Sequence, residues 1–225
     1  MALPISSLSP VTGGIYLGWT LGANDSANFF GAAVASRIIS FRLACVVCGI
    51  AVVIGAYLQG GAGIDTLSDI TSQSIATAVI VTVSAAITGT VMTYLAIPIS
   101  TSQSVVGAIL GIALATGDAD FSELTKVVLC WIGTPVGSII FSCIIYKLLD
   151  LFFMKVPMSM LTRDKFLWGG LLLAGTYGAY ALGANNVTNS TGVFSGLLGL
   201  SDRTLALIGG LAIAGGAVTF SKRVM

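Results

Sequence analysis

The 225-residue chain has no histidine and only four cysteines, and just 8% of its side chains are charged. With no histidine beside Cys45, Cys48, Cys130 and Cys143, a zinc site is not expected. Cys45-Val-Val-Cys48 lies in an apolar stretch, not beside a βαβ pattern, and all four cysteines read as small core residues. A formal net charge of +1, with no basic block and no acidic tail, argues against a nucleic-acid partner. There is no phosphate-binding loop ending in Gly-Lys-Ser/Thr, no Gly-x-Ser-x-Gly elbow and no histidine for a catalytic set, so neither an ATP-driven pump nor an intramembrane hydrolase fits. The chain is expected not to be an enzyme. No basic region precedes the first apolar stretch and no small-residue cleavage site follows it, so no removable signal peptide is expected.

What the chain has in excess is apolar sequence: 56% hydrophobic residues and a mean hydropathy of +0.99, the balance of a multi-pass protein of the cell membrane with the lipid bilayer as its solvent. A helix needs about 20 residues to cross. Apolar segments run over residues 11–35, 43–59, 75–95, 105–116, 124–146, 166–198 and 205–220, the fourth being too short to cross alone. Every charged side chain but one can be placed in a loop or at a segment end. The exception is Asp25, and an acid at such depth costs roughly 2.5–3.5 kcal/mol, which points to function.

Asp25 lies in a repeated octapeptide. Leu21-Gly22-Ala23-Asn24-Asp25-Ser26-Ala27-Asn28 returns 161 residues later as Leu182-Gly183-Ala184-Asn185-Asn186-Val187-Thr188-Asn189, with Gly31 and Gly192 following at the same interval. A constant offset argues for internal duplication, and polar, glycine-interrupted helices at matching positions point to a transporter's substrate site. Both host segments are long enough for two half-helices with a break between them, which would turn backbone groups toward a ligand. The sequons at Asn24, Asn186 and Asn189 fall at membrane depth, beyond the reach of glycosylation.

Loop charges give the orientation. The 36–42 connection carries Arg37 and Arg42, and the 150–165 connection carries Lys155, Arg163 and Lys165, with Lys147 just before it; both read as cytoplasmic. The 60–74 connection has Asp65 and Asp69, and the 117–123 connection has Asp118, Asp120 and Glu123; both read as external. The two motif helices then cross in opposite directions, as in carriers built from inverted repeats. A second polar island, Pro98-Ile99-Ser100-Thr101-Ser102-Gln103-Ser104, lies between two external connections and fits the tip of a re-entrant hairpin.

The oxygens of Asn24, Asp25 and Asn28, and of Asn185, Asn186 and Asn189, are hard ligands for a small cation. The hydroxyls of Ser100, Thr101 and Ser102, with backbone amides at a helix start, are donors for an anion. Single Ser, Thr or Asn residues in membranes ordinarily serve interhelical hydrogen bonding; two duplicated asparagine clusters beside a proline-led hydroxyl run go beyond that use. Gly107-xxx-Gly111 and the pairs Gly209-Gly210 and Gly215-Gly216 read as close-packing positions. Trp168, after the basic loop, reads as an interface anchor.

Gly22-Ala-Asn-Asp-Ser-Ala-Asn28 and Gly183-Ala-Asn-Asn-Val-Thr-Asn189, with Pro98-Ile-Ser-Thr-Ser102 between them, closely resemble the signatures of the inorganic phosphate transporter family, over essentially the whole chain. The resemblance implies an all-α membrane protein: an inverted-repeat secondary transporter with broken helices and a re-entrant hairpin, assembling as a homodimer and carrying phosphate with sodium or protons and no other cofactor. It places phosphate at Asp25, Asn28, Ser100, Thr101, Ser102, Asn186 and Asn189. It places the coupling cation at Asn24, Asp25, Asn28, Asn185 and Asn186, with Asn24, Asp25 and Asn185 as the sodium candidates. The family often has aspartate where this chain has Asn186. Residues 1–153 form the expected first repeat, 154–165 a cytoplasmic loop and 166–225 the start of a second. A second hydroxyl island at the common offset from Pro98 would fall beyond Met225, so the second repeat is expected to be incomplete. The rival readings are a sulfate permease of the same family and a non-transporting membrane subunit or fragment.

Overall fold

The structure is a computed structural model that describes residues 9–70, 74–117 and 121–225. Among these, all regular structure is helical: α1 (Val11–Ala35), α2 (Phe41–Ile70), α3 (Ile75–Tyr94), α4 (Thr101–Thr116), α5 (Phe121–Lys155), α6 (Met160–Ser190) and α7 (Asp202–Thr219), with 3₁₀ turns at Gly192–Phe194 and Ser221–Arg223. Each predicted apolar segment falls on a helix, although α6 ends at Ser190 where the segment was expected to run to 198, and Phe41–Gly61, Ile75–Tyr94 and Val128–Lys155 are each long and apolar enough to cross a membrane. The chain divides into two compact units, one of Met1–Ile112 with Trp168–Met225 and one of Ala113–Leu167.

In the first unit α1 packs on α3 and α7, and α2 packs on α7, around a core that includes Leu21, Phe30, Ile39, Val52, Val187, Phe194, Leu205 and Ile213. The crossings are set by glycines. A Cβ on Gly22 of α1 would overlap the backbone of Ile213 in α7, and one on Gly216 of α7 would overlap the Trp19 carbonyl of α1. The same arrangement occurs elsewhere: Gly183 of α6 lies against the Val52 backbone in α2, and Gly55 of α2 against the Tyr180 carbonyl of α6. The four glycines and their four partners fall into pairs separated by 161 residues. α1 and α6 run antiparallel, Gly14 near the start of α1 meeting Ser190 at the end of α6, and Gly175 meeting Phe30 in the second half of α1. Ser40 and Ser201, at the same interval, each accept a backbone N–H at the start of the helix that follows, from Leu43 and Thr204, as N-capping serines do.

α3 and α4 form the expected hairpin. After Tyr94 the chain turns through Ala96, at φ 59°, passes Pro98 and re-enters a helix at Thr101. Val105 of α4 then shares a buried cluster with Val81, Ala85 and Ala86 of α3 and Leu17 of α1. The second unit holds α5, with Pro135 inside it. Its far end closes on the first turns of α6 through Phe152, Phe153 and Phe166, with Arg163 over the Phe153 ring.

Several expectations are corrected. The motif helices are not broken: α1 is continuous through residues 22–28, and α6 continues to Ser190, past Asn189. The motif glycines are spent on interhelical approach, where a missing Cβ lets backbones touch, and not on interrupting their own helix. α2 extends through 60–70, where Asp65 and Asp69 suggested a loop, and the non-helical part of the basic connection is 156–159 alone. A Cβ on Gly107, Gly111 or Gly215 would meet nothing on a neighbouring helix within 4 Å, whereas Gly209, Gly210 and Gly216 are packed. Cys130 and Cys143, expected in the core, are exposed along α5, whereas Cys45 and Cys48 are buried in α2. Residues 1–8, on which the signal-peptide expectation rests, and the external-loop acids Asp118 and Asp120 lie outside the described residues.

Candidate functional site

The elbow between α3 and α4 lies between the two motif helices and touches both. On the α1 side the Thr101 hydroxyl donates to Asp25 Oδ2 at 3.1 Å. On the α6 side the Ser102 hydroxyl reaches Asn186 Oδ1 at 3.5 Å, and Asn189 Nδ2 donates to Ser102 Oγ at 2.9 Å and to Asn186 Oδ1 at 3.2 Å. Consecutive residues at the start of α4 therefore bind opposite copies of the motif. Two residues in a row can do so because they lie about 100° apart around a helix.

A cavity of about 500 Å³ opens where these groups meet, lined by Asp25, Asn28 and Phe29 of α1, residues 98–102 of the elbow, and Leu182 and Asn186 of α6. Ser100 caps α4, accepting from the Gln103 N–H at 3.4 Å, so the positive end of a 16-residue helix faces this space, the standard seat for an anion. Asp25 is the one acidic residue in the lining and is only 7% exposed. No cluster of three or more His, Cys, Asp or Glu occurs among the described residues. A cation bound here would rest on one carboxylate and neutral amide and hydroxyl oxygens, a donor set suited to a hard, weakly charged ion. One buried hydroxyl in each motif copy, Ser26 Oγ and Thr188 Oγ1, has no hydrogen-bond partner.

Of the residues picked from the sequence, Asp25, Asn28, Ser100, Thr101, Ser102 and Asn186 line the cavity, and Asn189 stands one step behind, holding Ser102 and Asn186. Asn24 and Asn185 do not line it. Asn24 is fully buried and bonded to the elbow, whereas Asn185, at the matching position of the second motif, is exposed. Sequence reading missed the apolar walls, Phe29 and Leu182, which directly follow Asn28 and directly precede Gly183. It also missed Thr93, whose hydroxyl accepts from Asn24 at 3.0 Å; nothing in an apolar helix marks such a threonine.

The sequence profile of the phosphate transporter family matches residues 21–225. The chain is 30% identical over 225 residues to a sulfate permease of Bacillus subtilis, covering 97% of this chain and 62% of that protein. It is 31% identical over 147 residues to sodium-dependent phosphate transporter 1 of Mus musculus, covering 60% of this chain and 22% of that protein. The chain thus spans less than two thirds of the length of these relatives. Among solved structures, a sodium-dependent phosphate transporter superposes with a TM-score of 0.79 at 18% identity, over 97% of this chain and 76% of that one, a likeness of fold.

Proposed function

The chain belongs to the phosphate transporter family, and from that premise we propose that it is part of a carrier that moves inorganic phosphate through the membrane with a cation, sodium or a proton, by alternating access. The observation that carries this reading is the cavity at the α4 N-terminus. There a lone carboxylate, amide oxygens and three hydroxyls converge between two copies of one motif. In this reading the start of α4 and the hydroxyls of Ser100, Thr101 and Ser102 hold the anion, Asp25 with Asn28 and Asn186 holds the cation, and Asn189 keeps Ser102 and Asn186 in register. The reciprocal glycine crossings support an inverted repeat, since a two-fold axis between α1 and α6 would generate each from the other. Such a pair can exchange conformations to open either side in turn. A homodimer in the bilayer is part of the same proposal.

Phosphate uptake into proteoliposomes holding the protein encoded by the full reading frame tests it. Uptake should rise with an imposed sodium or proton gradient, and uptake indifferent to both gradients would remove the reading. The likeness to a sulfate permease favours a second reading, sulfate as the anion. Both are tetrahedral oxyanions, but phosphate bears a proton that Asp25 can accept in a hydrogen bond, whereas sulfate would set charge against charge. Excess sulfate should leave labelled phosphate uptake largely intact; strong competition would transfer the assignment to sulfate.

A smaller effect is expected for Ser102→Ala. It removes one donor to the anion and the acceptor that Asn189 uses, a loss of about 1–3 kcal/mol. The phosphate concentration for half-maximal uptake should rise with little change in maximal rate, as read from the concentration dependence. An unchanged curve would take Ser102 out of the anion shell.

A further inference from the structure

We infer that Asn24 is a positioning residue: it clamps the α3–α4 elbow and thereby aims Thr101 and Ser102 into the cavity, without itself touching phosphate or cation. The inference rests on the carrier reading for what the cavity holds, and on geometry alone for the clamp.

Asn24 is 0% exposed and absent from the cavity lining. Its amide is committed elsewhere. Nδ2 donates to Thr93 Oγ1 at 3.0 Å and to the Ile97 carbonyl at 3.2 Å, and Oδ1 accepts the Ile99 N–H at 2.9 Å. Both amide hydrogens are therefore used, and the oxygen holds the first N–H after Pro98.

The elbow needs such an outside partner. Ala96 and Ile97 turn back onto the end of α3 through Thr93 O and Met92 O. Pro98 has no N–H to give, and α4 begins only at Thr101. The Ile97 carbonyl and the Ile99 N–H, which flank the proline, receive from one side chain on α1 what regular structure does not supply there. Two residues beyond Ile99 stands Thr101, bonded to Asp25, and the next is Ser102, bonded to the α6 motif. The direction of the α4 N-terminus thus follows from Asn24. The choice of amide is also specific. An aspartate could accept from Ile99 but could not donate to Thr93, and it would set a charge against the Ile97 carbonyl. Thr93 in turn donates to the Gly89 carbonyl at 2.8 Å, so the clamp is anchored in α3.

Thr93 provides the decisive test, because it bonds Asn24 yet lies outside the cavity. In the reconstituted protein, Asn24→Ala and Thr93→Val should each raise the phosphate concentration for half-maximal uptake, Asn24→Ala by about tenfold, the value of roughly one net buried hydrogen bond. The sodium or proton dependence should stay where it is. The double variant should be no worse than Asn24→Ala alone, since both changes break one device. Hydrogen–deuterium exchange across residues 95–103 should be faster in both variants and unchanged elsewhere. Should Asn24→Ala fail to fold, Thr93→Val, which keeps side-chain shape, carries both readouts. A shift in cation dependence with phosphate affinity unchanged would make Asn24 a cation ligand and overturn the clamp, as would additive effects in the double variant or an elbow that exchanges no faster. Exchange needs no transport, so a protein that takes up no phosphate would defeat the carrier reading and still leave the clamp decided by the elbow.

Discussion

Asp25→Asn is expected to abolish cation-driven phosphate uptake, by more than about a hundredfold, in a protein that still inserts and folds. The isostere keeps the volume of a side chain that is 7% exposed and keeps an oxygen to accept from Thr101, 3.1 Å away. What it removes is the single negative charge of the cavity lining. Taking one partner from a buried ion pair costs about 3–5 kcal/mol, and about 1.4 kcal/mol is tenfold, which gives the expected factor. Asn186 cannot replace the charge, being the amide at the matching position of the second motif. Uptake in proteoliposomes, with unfolding temperature and membrane yield as controls, reads the effect. Gradient-driven uptake at wild-type rates in Asp25→Asn would remove Asp25 from the ion path and leave the cavity without a cation site.

The sequence was informative wherever hydropathy or proline dominates. Residues 11–35 became α1 with both ends as expected, 75–95 became α3 to within one residue, and Pro98 marked the hairpin tip. It misled wherever a residue type has two uses. The run that contains Asp65 and Asp69 is polar enough to read as a loop, but backbone hydrogen bonding carries α2 to Ile70, because helix formation does not require an apolar face. Gly22 and Gly183 read as breakers in their own helices, and the structure uses each against the backbone of another helix. Asn24 reads as a ligand on its chemistry, since an amide oxygen suits a cation as well as a peptide N–H. Its bonds to the Ile97 carbonyl and the Ile99 N–H on either side of Pro98 are a tertiary fact that the motif does not show. Asp25 was legible because its burial is costly wherever it lands. Phe29 and Leu182 were not, since one more apolar residue in an apolar helix carries no signal.

Gly22→Val is expected to cost folded protein outright, and Gly183→Val to do the same. Each glycine lies where a Cβ would penetrate a backbone, that of Ile213 for Gly22 and that of Val52 for Gly183. Backbone in a helix cannot swing aside as a side-chain tip does, so the helices must separate. Overpacking typically costs about 1–3 kcal/mol and more when nothing yields. Separation also forfeits the contacts of Gly216 on Trp19 and Gly55 on Tyr180, one step along the same crossings. A β-branched residue adds its own penalty in a helix. Gly107→Ala and Gly215→Ala are the controls, because a Cβ there would meet nothing on a neighbouring helix within 4 Å, and alanine is the better helix former by about 0.8–1.0 kcal/mol. Monodisperse yield after detergent extraction should collapse for both valine variants and hold for both controls. If the two crossings are related by a two-fold axis, Gly22→Val and Gly183→Val should cost similar amounts. A protein that tolerates valine at Gly22 but not at Gly183 would show that the crossings do not bear equal weight, and the proposed inverted repeat would lose that support.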